Sequence, residues 1–380
     1  MRPLVVVLIV LFTSLAFSQN DPGVLEDPSD LPAPVLPVMP APTVKPLPWQ
    51  NIPEIKEAVV GQPRIGLYAG WTRLVFDVPK GSTVQVTPEG FGITIGFSGL
   101  QVRGGLALKS PPSSLSPEVQ GWSLSSGPLG STATIRTRYP LRAGGGGWKM
   151  LHLPAGLDSL NDRLVLDFSE AFANRQTLQA PPLQLFPFPV EVVLDPGHGG
   201  KDPGAVGSVM EKEVNLQVTH KVQGLLEAAG ATVVLTRLGD TVFSDDKRTD
   251  LQHRASLGVS PRKVLVSIHA NSLAKQSALA GYGVETWWHP NHPESQHLAR
   301  TLQSSMLEWT SAFDRKVRTA PFVVIRNSQV PAALIEMGFV SHPVDGENLL
   351  SAGYLDRMAY GIALGIQRFV LSQAPVPSTP

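Results

Sequence analysis

Four side chains in the C-terminal half carry the chemistry this chain could perform. His198 sits in Asp195-Pro196-Gly197-His198-Gly199-Gly200, directly after the apolar run Val192-Val193-Leu194. Glycines on both sides of the ring let the backbone turn sharply and leave the imidazole open. Glu211 follows thirteen residues later, at the expected start of a helix. His269 closes a second apolar run in Ser267-Ile268-His269-Ala270-Asn271. Taken singly, each histidine reads as an ordinary residue. Together, two imidazoles and a carboxylate make a three-ligand set that suits a catalytic zinc ion with one open position. Glu336, in Ala333-Leu334-Ile335-Glu336-Met337-Gly338-Phe339, ends another buried run. An acid there is partly desolvated, which raises its pKa towards a range useful for proton transfer. A capping or salt-bridged glutamate is the competing explanation.

These residues need a scaffold, and the spacing from 191 onward supplies one. Val192 to Leu194 reads as a strand, and Val214, Val218, Val222, Leu225, Leu226 and Ala229 recur at helical spacing until Gly230. Strands are expected at 232–235, 264–268, 284–288, 323–326 and 332–336, with helices at 247–257, 294–309 and 355–371. This is an α/β fold, an open sheet flanked by helices, in which the candidate ligands stand at carboxyl ends of strands, where such sheets bind ligands.

Upstream, residues 52–180 form short alternating apolar runs separated by Gly, Pro and Ser, the rhythm of an all-β sandwich. The segments Thr72 to Val78 and Asp162 to Phe168 resemble each other, through shared strand vocabulary or real internal symmetry. Residues 181–190 read as an interdomain linker and 372–380 as a disordered tail. Residues 19–50 hold nine prolines and read as an extended tether. Residues 1–18 have the positive start, apolar run and small-residue site of an export signal, too short to span a bilayer. The expectation is an exported protein, periplasmic or attached to the cell envelope, with no transmembrane segment after signal removal.

Composition narrows the field. The 380 residues carry 31 Lys+Arg against 31 Asp+Glu, so the electrostatic footprint of a nucleic-acid binder is missing. No cysteine is present, which excludes thiolate ligands, disulfides and a catalytic thiol. Any metal must be held by His and carboxylate.

At this point the chain resembles the zinc-dependent N-acetylmuramoyl-L-alanine amidases of the bacterial cell wall. The resemblance covers roughly 190–371 and rests on Asp195 to Gly200, Asp202-Pro203-Gly204-Ala205, Glu211 to Leu216, Thr236-Arg237, Ser267 to Asn271, Gly283-Val284-Glu285 and Ile335 to Phe339, in the family's order. It implies zinc held by His198, Glu211 and His269, with Glu336 as catalytic acid/base. In the family the ligand is the first acid of its Glu-Lys-acid motif, which leaves Glu213 solvated. It also implies cleavage of peptidoglycan between N-acetylmuramic acid and L-alanine, in wall remodelling and daughter-cell separation. Asn271 and Arg254 are expected to contact substrate or brace the site. His220, His253, His289, His292, His297 and His342 match no ligand position and read as surface or rim residues. Only Ser272 to Tyr282 separate the second zinc histidine from the next strand, too few for the regulatory helix some members insert there. A catalytic half active without a partner is therefore expected.

The N-terminal β region resembles, more weakly, the AMIN targeting domain found beside these amidases, chiefly in Trp71 to Asp77. It implies binding to peptidoglycan or to envelope or divisome proteins. The rival class is a catalytically silent peptidoglycan-binding envelope protein. Such a protein is expected to have lost a ligand or the acid, and all four are present.

Overall fold

The computed structural model describes residues 54–373 except 112–114, 143, 144, 157, 158 and 262. The export signal at 1–18, the tether at 19–50 and nearly all of the tail expected at 372–380 lie outside the described residues.

Among the described residues, eleven strands build the N-terminal half: β1 (Val59–Val60), β2 (Arg64–Tyr68), β3 (Trp71–Val78), β4 (Val84–Glu89), β5 (Gly92–Ser98), β6 (Gln101–Val102), β7 (Leu108–Lys109), β8 (Val119–Gly127), β9 (Gly130–Thr137), β10 (Trp148–Leu153) and β11 (Asp162–Phe168). A four-stranded sheet, β10-β11-β3-β2, faces a five-stranded one, β4-β5-β9-β8-β7. Leu74, Phe76, Ile95, Phe97, Ile135 and Leu166 fill the space between them. The two look-alike segments pair with each other, β3 antiparallel to β11. Their common Arg-Leu-Val-x-Asp order sets Arg73 opposite Asp167 and Asp77 opposite Arg163. Arg73 donates twice to the Asp167 carboxylate, at 2.6 and 2.8 Å.

The C-terminal half is the expected α/β layer. Its strands are β12 (Glu191–Pro196), β13 (Thr232–Leu235), β14 (Val264–Asn271), β15 (Val284–Trp288), β16 (Asp314–Thr319) and β17 (Ala332–Phe339), in the order β13-β12-β14-β17-β15-β16. β13, β12, β14 and β17 run parallel, and β15 is antiparallel to β17. The helices are α1 (Glu211–Ala228), α2 (Lys247–Ser256), α3 (Ser295–Thr310), α4 (Val323–Arg326), α5 (Pro343–Leu350) and α6 (Ala352–Ser372). On one face, Val192, Leu194, Val266 and Ile335 pack under α1, α3 and α6. On the other, Val193, Leu265 and Leu334 pack against α2, α4 and Phe322.

Several elements depart from expectation, among them α5 and a short 3-10 helix at Lys275–Ala280, neither of which was expected. Residues 323–326 form a helical turn, not a strand. Their β-branched side chains favour extended backbone, but three consecutive buried residues wedged between sheet and α2 need a helical path. β16 was not foreseen: Asp314-Arg315-Lys316-Val317-Arg318-Thr319 has a single apolar residue, as befits the outermost strand of a sheet.

Candidate metal centre

Alternation along a strand puts every second side chain on one face. On the α2/α4 face this gives Val193 then Asp195 on β12, Leu265, Ser267 and His269 on β14, and Leu334 then Glu336 on β17. His269 and Glu336 are register partners, and Glu336 is paired in turn with Glu285 on β15. An apolar floor thus rises into a row of polar groups at the strand ends.

His198, Glu211 and His269 meet at that edge, each offering a ligand atom within 4.8 Å of the others. Glu211 Oε1 lies 3.2 Å from His198 Nε2 and 3.0 Å from His269 Nδ1. The three residues are 8%, 4% and 7% exposed in sequence order, and Glu336 is fully buried. Burial pushes the Glu211 carboxyl up, but the hydrogen bonds and charges of the two imidazoles outweigh it and hold the group ionised well below the usual carboxylate range. Two neutral-capable imidazoles around a carboxylate held ionised are a donor set that fits a divalent cation.

The backbone makes this convergence possible. A Cβ on Gly197 would lie 2.2 Å from the His269 ring, and one on Gly204 would lie 2.6 Å from Glu211 Oε2. Between them His198 itself adopts φ 62°, the left-handed region that non-glycine residues seldom occupy. Two buried arginines hold that turn. Arg254 donates to the carbonyls of Pro196 and His198 at 2.9 and 2.8 Å, and Arg237 donates to those of Pro196, Gly197 and Lys212. Asp195 anchors Arg254 at 3.0 Å and accepts from Thr236 and Ser267 at 2.6 Å each. Burial pushes the Asp195 carboxyl up, yet Arg254 and the two hydroxyls hold it below the usual range. On the outer side Asp202 accepts from His198 Nδ1 at 2.9 Å, which fixes the ring with Nε2 toward Glu211.

Arg254 therefore braces the loop from below, the second of the two roles expected for it, and it also lines the cavity beside the centre. Its side chain is 3% exposed and its donors are engaged with Asp195, Asp250 and loop carbonyls. Asn271 is turned to Glu285, donating at 2.8 Å. Glu213 is exposed, as expected. Of the histidines assigned to surface or rim, His342 departs: it is buried, and its Nδ1 caps α5 by accepting from the backbone N–H groups of Val344 and Asp345. Sequence reasoning missed Asp195, Asp202 and Arg237, although all three lie within the quoted motifs.

A cavity of about 270 Å³ adjoins the centre on the α2/α4 face, bounded by His198, His269, Leu251, Phe322, Val324 and Leu334. Its lining mixes these apolar side chains with the buried Asp195, Asp250 and Arg254 and with Asp202, Lys201 and Lys247.

Residues 192–368 match a family described as N-acetylmuramoyl-L-alanine amidase. A germination-specific N-acetylmuramoyl-L-alanine amidase of Bacillus subtilis is 32% identical over 197 residues, which are 49% of this chain and 82% of that protein. The N-acetylmuramoyl-L-alanine amidase LytC of the same organism is 37% identical over 175 residues, 45% of this chain. The chain spans only 34% of that relative's length. The crystal structure of an N-acetylmuramoyl-L-alanine amidase from Clostridium difficile 630 is 34% identical, with 49% of this chain and 98% of that chain covered and a TM-score of 0.44.

Proposed function

The chain belongs to the N-acetylmuramoyl-L-alanine amidase family, and from that membership we propose that it is a zinc-dependent hydrolase of peptidoglycan. It cuts the amide between the lactyl group of N-acetylmuramic acid and L-alanine. The observation that carries the reading is the meeting of His198, Glu211 and His269, with Glu336 in register beside His269.

In this reading those three residues hold the ion. Once bound, zinc supplies Lewis acidity, polarising a carbonyl and making a neighbouring water more acidic. Glu336 accepts the proton of the attacking water, for which a buried carboxylate one strand from His269 is well placed. It then returns that proton to the amine of L-alanine as the C–N bond breaks. Asp202 keeps His198 in one tautomer, and Arg237 and Arg254 keep its backbone turned. The Glu336→Gln variant is expected to keep a full complement of zinc by elemental analysis while hydrolysis falls at least a hundredfold. Wild-type turnover in that variant would remove Glu336 from the mechanism.

Residues 52–180 are read as a targeting module that keeps the enzyme on peptidoglycan or on envelope or divisome proteins, which raises the local substrate concentration. The strand-rich sandwich and its partial likeness to AMIN domains support this. The export-signal pattern at the start of the sequence and a substrate in the cell wall support a periplasmic or envelope location. No helix among the described residues is long and apolar enough to cross a membrane. Work in daughter-cell separation is the cellular role this reading gives it.

A further inference from the structure

The geometry points to Arg318 as the receptor for a free carboxylate two residues beyond the scissile bond, so that the enzyme selects stem peptides by the charge of their second residue; this rests on the amidase reading above. The groups lie in a row across four adjacent strands. His269 on β14 is paired with Glu336 on β17, and Glu336 with Glu285 on β15. β16, next to β15, then adds two arginines.

Glu285 is 2% exposed and surrounded by donors. Its Oε1 accepts from Asn271 at 2.8 Å. Its Oε2 accepts from Arg315 Nε at 3.0 Å and lies 3.4 Å from Arg318 Nε. So engaged, Glu285 is a brace, not a second base. Two guanidinium groups thus converge on the Glu285 carboxylate.

The two arginines differ. Arg315 is the inner one, with a mostly buried side chain lying 4.7 Å over the Phe339 ring. Arg318 is the outer one, its side chain 45% exposed and its guanidinium 5.6 Å from the Trp287 ring. Its Nε also donates to the Arg315 carbonyl at 3.3 Å. Neither of its terminal nitrogens hydrogen-bonds to a described residue. A guanidinium held at Nε and laid on an indole presents its outer N–H groups in a set direction, which suits a carboxylate.

The reach agrees. Neighbouring strands are about 4.8 Å apart, so β16 lies roughly 10 Å from the strand of Glu336, and Arg318 reaches back over Glu285. In a stem peptide, six bonds separate the scissile carbonyl carbon from the α-carboxylate carbon of the second residue, an extended span of roughly 7 Å. That second residue is a D-glutamate linked through its side-chain carboxyl. Its α-carboxyl is either free and anionic or converted to a neutral amide.

The test compares the zinc-loaded full chain with its Arg318→Gln and Arg318→Lys variants on two soluble muramyl peptides, one ending in γ-linked D-glutamate and one in its α-amide. The wild type is expected to favour the free acid about tenfold in kcat/KM. Arg318→Gln brings that ratio to about one, mainly through KM, and Arg318→Lys keeps part of it because the charge remains without the fork. Calorimetric titration with the released dipeptide acid and its amide is expected to show the same ratio and the same loss. A wild-type ratio near one, or an Arg318→Gln variant weakened equally on both peptides, overturns the assignment. Cleavage of neither peptide by the wild type would instead overturn the amidase reading, and the assignment with it.

Discussion

At the scale of single residues, the candidate site depends on what is absent from Gly197 as much as on what His198, Glu211 and His269 provide. The His269 ring occupies the space where a Cβ at 197 would stand. Gly197→Ala is therefore expected to displace that ring and to lower zinc affinity at least tenfold, read by chelator competition, with little change in the far-ultraviolet spectrum. Unchanged affinity would show that the ring can move without cost. Arg254 gives the complementary case. Arg254→Met leaves Asp195 buried without its cation and takes its donor from the His198 carbonyl, while Pro196 keeps Arg237, so a loss of about 3 kcal/mol in unfolding free energy is expected from denaturant titration. A loss below about 1 kcal/mol would contradict the bracing role. The three candidate ligands are legible from sequence because each lies in a short, distinctive motif. The partners of Arg254 are not, because Asp195, Pro196 and His198 lie 56–59 residues away and two of the contacts are to backbone oxygens.

At the scale of elements, legibility followed hydrophobic periodicity. β12, β14, α1 and α6 announce themselves by apolar spacing, whereas α5 begins with Pro343, contains Gly346 and owes its start to a side chain, His342. Burial holds the pKa of that imidazole down to about 4. Its Nδ1 must stay unprotonated to accept from Val344 and Asp345. The folded pKa lies below the unfolded value of 6.5, so this contribution to stability is complete above pH 6.5 and is lost as pH falls toward 4. In melting curves, His342→Asn, which keeps a capping acceptor but cannot titrate, is expected to lose less stability than the wild type between pH 6.5 and 4. Parallel pH profiles would assign the titration elsewhere. The β3–β11 pair shows the same limit from the other side. The repeated Arg-Leu-Val-x-Asp order was visible, but only antiparallel pairing shows why it serves both strands: each places its arginine against the aspartate of the other.

At the scale of the whole molecule, the two halves share a seam. Arg142 donates to the carbonyls of Ser311, Glu170 and Phe172, and Tyr282 donates to Glu170 at 2.8 Å. Asn348 donates to the Ala171 carbonyl, and Val344 packs on Ala171 and Phe172. Tyr282 ends the short segment after His269, so the sandwich leans on a loop that leaves the candidate metal centre. This seam could not be read from the sequence, where 181–190 looked like a simple linker. The central claim, that the three converging ligands and Glu336 make an enzyme for the lactyl–alanine bond, is tested most directly by digesting purified sacculi with the zinc-loaded chain and with its His269→Ala variant, then weighing the products. The wild type should release intact stem peptides with a free L-alanine amino terminus and leave glycan bearing lactyl carboxylates, and the variant should release none. Fragments cut at any other bond, or equal release by both proteins, would contradict it.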